Sequence, residues 1–474
     1  MSRKKKSVVG RRQSEKKLTA DSLQLTARAK AAMLALLLCR GLAGAQGLPE
    51  APLTLRRAAE RALARAPEVA VARAQVDEAA AGVRAAKAAF GPQAFATTTP
   101  GYSNGLPVAV AGRVPSVFGV ELHQTIYDPA KRSQAFDEEA RAAVVAAGLL
   151  TSGSATARAL VLAYGRNWAD QISIADAREV LETREAAHRR VAALGREGRT
   201  TPLEVERAGL EVARAKQTLL DRETEADLDR LELARLIGWS SSDPIPIAED
   251  PLAVLPVSPP GDFLAAARAA DPQLNALEAE AAALEKAVFL QKRAWLPVIQ
   301  AEGQYLRLSN YNNFDQYFVK FKANDLAVGI SVVVPLWTGG RLSHAQVAAE
   351  ARLGKARADR MLRDRDLELD VRRAQGELTR AQARLALTVR AEALARETLR
   401  VGKALAVEGR AEPDELDKQT IAAGEARDDR IKASQQLLAA RAKVLELRGE
   451  LPGALLADAP IAEAPKSGSS SPKS

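Results

Sequence analysis

Aromatic residues make up only 4% of this 474-residue chain, although 47% of it is hydrophobic, so large rings contribute little of the apolar content. There is one cysteine, Cys39, and only three methionines and three histidines (His123, His188, His344). A lone cysteine makes no disulfide and no Cys metal site within the chain, and the scattered histidines form no ligand cluster. No Ser/His/Asp order and no phosphate loop with lysine appears, so the chain reads as no enzyme, with no catalytic residues, cofactor or metal. Long hydrophobic runs are missing as well. Beyond the first 45 residues no stretch of eighteen or more apolar residues is found, and any membrane span is therefore expected to consist of strands.

Excess positive charge also vanishes once it is mapped. The net charge is +9, but residues 1–45 carry eleven Lys or Arg against Glu15 and Asp21, and the remainder is balanced. A neutral body has no field for phosphates, which argues against nucleic acid as a partner. The basic segment reads instead as a signal peptide with an extended n-region: an apolar run Ala31–Leu38, then small residues ending Ala43-Gly44-Ala45. A start codon placed too early, or a cytosolic tail, is the alternative reading of the n-region. Cys39 falls inside this leader, and Leu38 stands where a lipoprotein signal needs a small residue. Arg11-Arg12 lies too far from the apolar run for a twin-arginine signal.

What the chain does have is internal repetition. Ala66-Pro67-Glu68 returns as Asp271-Pro272-Gln273, and Ala89-Phe90-Gly91-Pro92 as Ala294-Trp295-Leu296-Pro297, both at an offset of 205. Tyr127-Asp128-Pro129 pairs with Trp337-Thr338-Gly339 at 210, and Glu197-Gly198-Arg199 with Glu408-Gly409-Arg410 at 211. Two repeats, 46–239 and 262–451, flank a proline-rich connector over 240–261, expected to be ordered but non-helical. A tail over 452–474, rich in Ala, Pro and Ser, is expected to be disordered.

Each repeat holds a proline-free run predicting a very long helix, about 129–195 and 341–406, or ~100 Å at 1.5 Å per residue. Return helices are expected over about 202–237 and 413–451, the first opened by Thr201-Pro202-Leu203-Glu204. Val205, Val212, Leu219, Ala226 and Leu233 keep a seven-residue spacing, as do Val371, Leu378, Leu385 and Leu399 with Glu392 interrupting. That is coiled-coil patterning, which taken alone also fits an ordinary dimeric coiled coil.

The strand segments decide between these. Phe118, Val120, Leu122 and Ile126 alternate with Gly119, Glu121, His123 and Thr125, and Leu326, Val328, Ile330, Val332 and Val334 alternate with small residues. One hairpin per repeat follows, about 93–127 and 298–335, with the apolar-out and small-or-polar-in pattern of a transmembrane β-barrel wall. Phe90, Tyr127, Trp295 and Trp337 bracket the hairpins as interface aromatics, unless they cap an ordinary apolar layer. Four strands close no barrel and open edges are not tolerated in lipid, so several chains must share one; three give twelve strands.

Leu53-Thr54-Leu55 with Ala58, Ala62 and Pro67, the junctions Tyr127-Asp128 and Leu336-Trp337-Thr338-Gly339-Gly340, and the tip at 198–202 resemble the TolC family of outer-membrane efflux channels across essentially the whole mature chain. The resemblance implies a mainly α fold with a β-barrel portion: a homotrimer with a twelve-stranded barrel in the outer membrane, continued by an α-helical tunnel into the periplasm. It implies passive conduction in a tripartite efflux or type I secretion system, with a periplasmic adaptor and an inner-membrane pump or transporter as partners. It also places a pore constriction at Arg410, Asp414 and Asp417, and adaptor contacts at Arg196, Gly198, Thr200, Thr201 and Gly409. Asp414 at a helix start equally complements the helix dipole. Glu408 and Ala411-Glu412-Pro413 depart from the family's tip, which leaves the docking surface less defined than the fold. An exported coiled-coil scaffold or a periplasmic adaptor is the competing reading, and the transported substrate is not legible.

Overall fold

Proline sets most of the helix starts. The computed structural model describes residues 52–99, 116–239, 245–255, 261–308, 324–408, 410 and 413–457. Within them six helices open on proline: α2 Pro67–Ala88, α3 Pro129–Arg196, α4 Pro202–Ile237, α5 Pro251–Val254, α7 Pro272–Gln291 and α9 Pro413–Leu447. A first-turn proline gives up an amide hydrogen that has no helical partner there, and its fixed φ already suits the helix. The remaining helices are α1 Leu55–Arg65, α6 Phe263–Ala270, α8 Arg341–Val407 and α10 Leu451–Leu456. Side chains complete the caps: Thr54, Thr201, Asp250 and Asp271 each accept from a first-turn backbone N–H. α3 and α8 run unbroken for 68 and 67 residues, each about 100 Å of helix.

Strands β1 Gln93–Thr99, β2 Ser116–Tyr127, β3 Val298–Leu308 and β4 Asn324–Val333 form one antiparallel sheet in the order β1-β2-β3-β4. The central β2–β3 pairing joins the two repeats, setting Glu121 opposite Gln304 and His123 opposite Glu302.

The chain divides into two compact units, and neither coincides with a sequence repeat. One unit comprises Val71–Thr151 and Asp271–Leu369 and contains the sheet. Here α7 is stitched to α8 by a ladder with seven-residue steps: Asp271 to Arg363, Glu278 to Arg360 (2.8 Å), Glu285 to Arg357 (2.7 Å) and Lys292 to Glu350 (3.0 Å). The other three rungs are solvent-exposed and contribute little each, but Asp271 is buried and also caps α7.

The other unit comprises the chain up to Ala70, Ser152–Ala270 and the chain from Asp370. Its core joins Leu55, Ala58 and Ala62 of α1, Leu160, Val161 and Tyr164 of α3, and Leu233, Leu236 and Ile237 of α4. The Tyr164 hydroxyl donates to the Leu53 carbonyl at 2.8 Å, and Leu53 bridges to Ile247 of the connector. Glycine lets two helices meet closely: a methyl on Gly165 of α3 would collide with Leu438 of α9.

Three expectations change. The connector is not wholly non-helical, because Asp250 caps the single turn of α5. The tail starts later than residue 452, because α10 buries Leu451 and Leu455 in the core; residues 458–474 lie outside the described residues. By length and composition α3 does hold an 18-residue window of mean hydropathy 1.4, a third of it buried. Its small residues and hydroxyls (Gly148, Thr151, Ser152, Gly153, Ser154) break the run of large apolar side chains. The leader, residues 1–45, is also outside the described residues.

Candidate pore-lining and tip sites

Register assigns every strand residue to a face. On one face lie Gln93, Thr97, Gly119, Glu121, His123, Thr125, Gln300, Glu302, Gln304, Ala327, Gly329 and Ser331, with Phe95, Leu306 and Val333 among its large apolar members. The opposite face carries Val120, Leu122, Ala301, Tyr305, Leu326, Val328, Ile330 and Val332, and Val328 is 83% exposed. A predominantly polar face and a bare apolar face on one sheet is the barrel-wall pattern. β1 and β4 each pair on one side only among the described residues, so both edges present unpaired backbone groups.

Phe90, Tyr127, Trp295 and Trp337 all fall at one end of the sheet, where the chain passes between strands and helices. Trp295 and Trp337 are exposed, whereas Phe90 and Tyr127 are half-buried. A single aromatic rim results. The opposite hairpin ends, residues 100–115 and 309–323, lie outside the described residues.

At the α3–α4 tip, Gly198 takes a φ of 72°, the left-handed region that other residues resist. The Thr201 hydroxyl accepts from the Glu204 amide at 3.3 Å, so Gly198 and Thr201 build the turn. Arg196 is exposed on its surface and Thr200 is half-buried. Sequence reading missed Gly195: a methyl there would press on Val205, and the tight turn needs it small. Gly409 lies outside the described residues.

The three constriction candidates part company. Arg410 is exposed and faces Glu408 at 3.4 Å, and Asp414 is exposed in the first turn of α9. Asp417 is turned away from solvent onto Arg190 of α3, a direct ion pair. Three-residue spacing put both aspartates on one helix face; the partner 227 residues away was invisible to it.

Other charges are buried along the same helices. Glu392 of α8, with its side chain 5% exposed, lies between Arg396 at 2.6 Å and Arg430 of α9, while Arg427 pairs with Asp176 of α3. Asp170 of α3 has one buried oxygen without a hydrogen-bond partner. Burial first, then the neighbouring Asp229 and Glu225, raise its carboxyl to about 7 despite Arg166 and Arg222. A folded-state value above the usual 3.8 means that the folded chain holds this proton more tightly than the unfolded one. The resulting stability is present in acid and is lost as pH rises from about 4 through 7. Asp170→Asn is therefore expected to flatten the melting temperature between pH 5 and 8 and to raise it at pH 8, by circular dichroism in detergent. An unchanged pH profile would show that this site does not carry the proton.

Residues 263–450 match the outer membrane efflux protein family. No curated protein sequence matches the chain. Among solved structures, the outer membrane protein VceC of Vibrio cholerae is 18% identical with a TM-score of 0.63, over 83% of this chain and 96% of that one. The CmeC outer membrane channel of Campylobacter jejuni is 13% identical with a TM-score of 0.67, over 84% and 85%. The MtrE outer membrane channel of Neisseria gonorrhoeae, solved in an open state, is 17% identical with a TM-score of 0.66, over 84% and 89%. The chain is thus similar in sequence to the outer membrane efflux proteins over residues 263–450, and it shares the fold of these outer membrane channels over most of its length.

Proposed function

We propose that three copies of this chain join their four-stranded sheets into one twelve-stranded barrel, and that the assembly conducts solutes passively to the exterior for an inner-membrane pump or transporter bridged by a periplasmic adaptor. The observation that carries this reading is the sheet itself: one apolar face, one polar face and two unpaired edges, which lipid does not tolerate unless another copy pairs with them. Chemistry has no place in this reading; the chain supplies a wall and a path. Arg196 and Thr200 at the α3–α4 tip are the side chains offered to an adaptor, held by the turn that Gly198 and Thr201 make.

Outer-membrane fractions extracted in detergent are expected to yield a trimer by sizing, and that trimer to form channels in a planar bilayer. A water-soluble monomer would overturn the reading. For the constriction, Asp414→Ala with Asp417→Ala is expected to weaken block by added divalent cations about tenfold, because charged rings at a narrow pore hold cations. Asp414→Ala alone is expected to account for most of the effect, since Asp417 is already neutralised by Arg190. Equal block in inserted wild-type and variant trimers rejects that role for both aspartates.

A further inference from the structure

The polar face of the sheet is not evenly polar. Among the described strand residues the only Lys or Arg is Arg307, and register puts it on the apolar face, beside Asn324 at 2.7 Å. The polar face instead carries Glu121, Glu302 and Asp325. Glu121 is held in place, with Thr97 3.5 Å from its Oε1 and the imidazole of His123 3.6 Å from its Oε2. Glu302 lies directly across from His123 on β3 and is exposed. His123 thus stands between one carboxylate on its own strand and another on the next.

Everything else that faces His123 is neutral or already engaged. β1 contributes Gln93 and the ring of Phe95, 6.1 Å away centre to centre. From α3 comes Lys131, whose ammonium donates to the Thr125 hydroxyl at 3.1 Å, on the next same-face position of β2. Nothing on β3 but Glu302 carries charge there.

We infer that Glu121, His123 and Glu302 form the band that sets the ion preference of the barrel, favouring cations when His123 is neutral and less so when it is protonated. The inference rests on the shared barrel proposed above, in which the polar face lines the lumen and three copies repeat the band around it. Fixed wall charges act across about a Debye length, ~10 Å at 0.1 M salt and ~3 Å at 1 M, so the preference belongs to dilute solution. Histidine is the side chain whose charge ordinarily changes between pH 5 and 8, a range in which ordinary carboxylates stay mostly ionised. Protonation places a positive charge beside Glu121 and opposite Glu302, cancelling part of the band from within.

Reversal potentials across a planar bilayer under a potassium chloride gradient test this. At 0.1 M and pH 8, Glu121→Gln with Glu302→Gln is expected to lower the potassium-to-chloride permeability ratio about threefold, and Glu121→Asp to leave it in place. At 1 M salt the difference is expected to close. Lowering the pH from 8 to about 5.5 is expected to reduce the wild-type ratio, and His123→Gln to remove most of that dependence. A second route avoids any assembly defect in the double variant: Glu302→Cys, inserted and then treated with a sulfonate-bearing thiol reagent, should regain the wild-type ratio, and with a cationic reagent should fall below the untreated channel. Channels of normal conductance whose ratio ignores all these changes overturn the inference while leaving the channel reading intact. Failure of the wild-type chain to form channels overturns the proposed function instead.

Discussion

Val328→Lys is expected to abolish outer-membrane insertion, while Ala327→Lys, one residue away, leaves it nearly intact. The two positions are neighbours on β4 but point to opposite faces: Ala327 pairs with Gln304 on the polar side, Val328 with Gly303 on the apolar side. Val328 is the most exposed of the apolar β4 residues that alternate with small ones, so in a barrel its side chain meets lipid directly. A lysine on the lipid face costs roughly 2–4 kcal/mol near the bilayer midplane and little near the interfaces. Threefold repetition multiplies this to about 6–12 kcal/mol per assembly, comparable to the whole stability of a folded domain. At Ala327 the same charge faces water. The readout is the fraction of each variant recovered as a heat-modifiable trimer in outer-membrane fractions, scored against the wild type. If the two lysines behave alike, the face assignment fails, and with it the lipid-facing wall.

Legibility in the sequence followed the length of the pattern. Period-two alternation over ten residues placed Val328 and Glu121 on their faces without any structure, because a strand's side chains leave no third choice. Proline-free runs of nearly seventy residues, closed by Thr201-Pro202 and by glycine, left only long helices to form. What the pattern did not carry was long-range pairing. Asp414 and Asp417 looked equivalent because helical spacing registers only their own helix; Arg190, which separates them, arrives from α3. α10 was lost for a related reason, since Leu451-Pro452-Gly453 reads as a chain leaving the fold, and only the burial of Leu451 and Leu455 against α1, α3 and α4 holds it. Similarly, the two repeats are evident in the sequence, yet the compact units interleave them, because helices of ~100 Å carry one repeat's residues into both.

Glu392 is the sharpest case, and completing the heptad there is expected to destabilise the protein. Val371, Leu378, Leu385 and Leu399 form an apolar series in which Glu392 occupies the fourth place, so sequence reasoning alone would recommend Glu392→Leu. The side chain is indeed buried, as a heptad residue should be, but its carboxylate lies between Arg396 and Arg430, with Arg427 at 3.9 Å. Arg427 keeps Asp176 when Glu392 is removed; Arg430 has no other ion pair among the described residues and is only partly exposed. Removing one member of a buried pair typically costs about 3–5 kcal/mol, because the remaining charge has lost both water and partner. The leucine returns part of that through burial of its own apolar surface, ~1.5 kcal/mol. The net loss of about 2–3 kcal/mol corresponds to roughly 2–3 °C in melting temperature for a chain of this size, at about 2.1 cal/mol/K of unfolding entropy per residue. Adding Arg430→Leu removes the stranded charge and supplies a second apolar side chain at the same contact, so the double variant is expected to recover most of the loss. Melting curves of the three proteins in one detergent decide the matter. A single Glu392→Leu variant at least as stable as the wild type would mean that the series is an ordinary apolar seam and that the arginines are solvated well enough without the carboxylate.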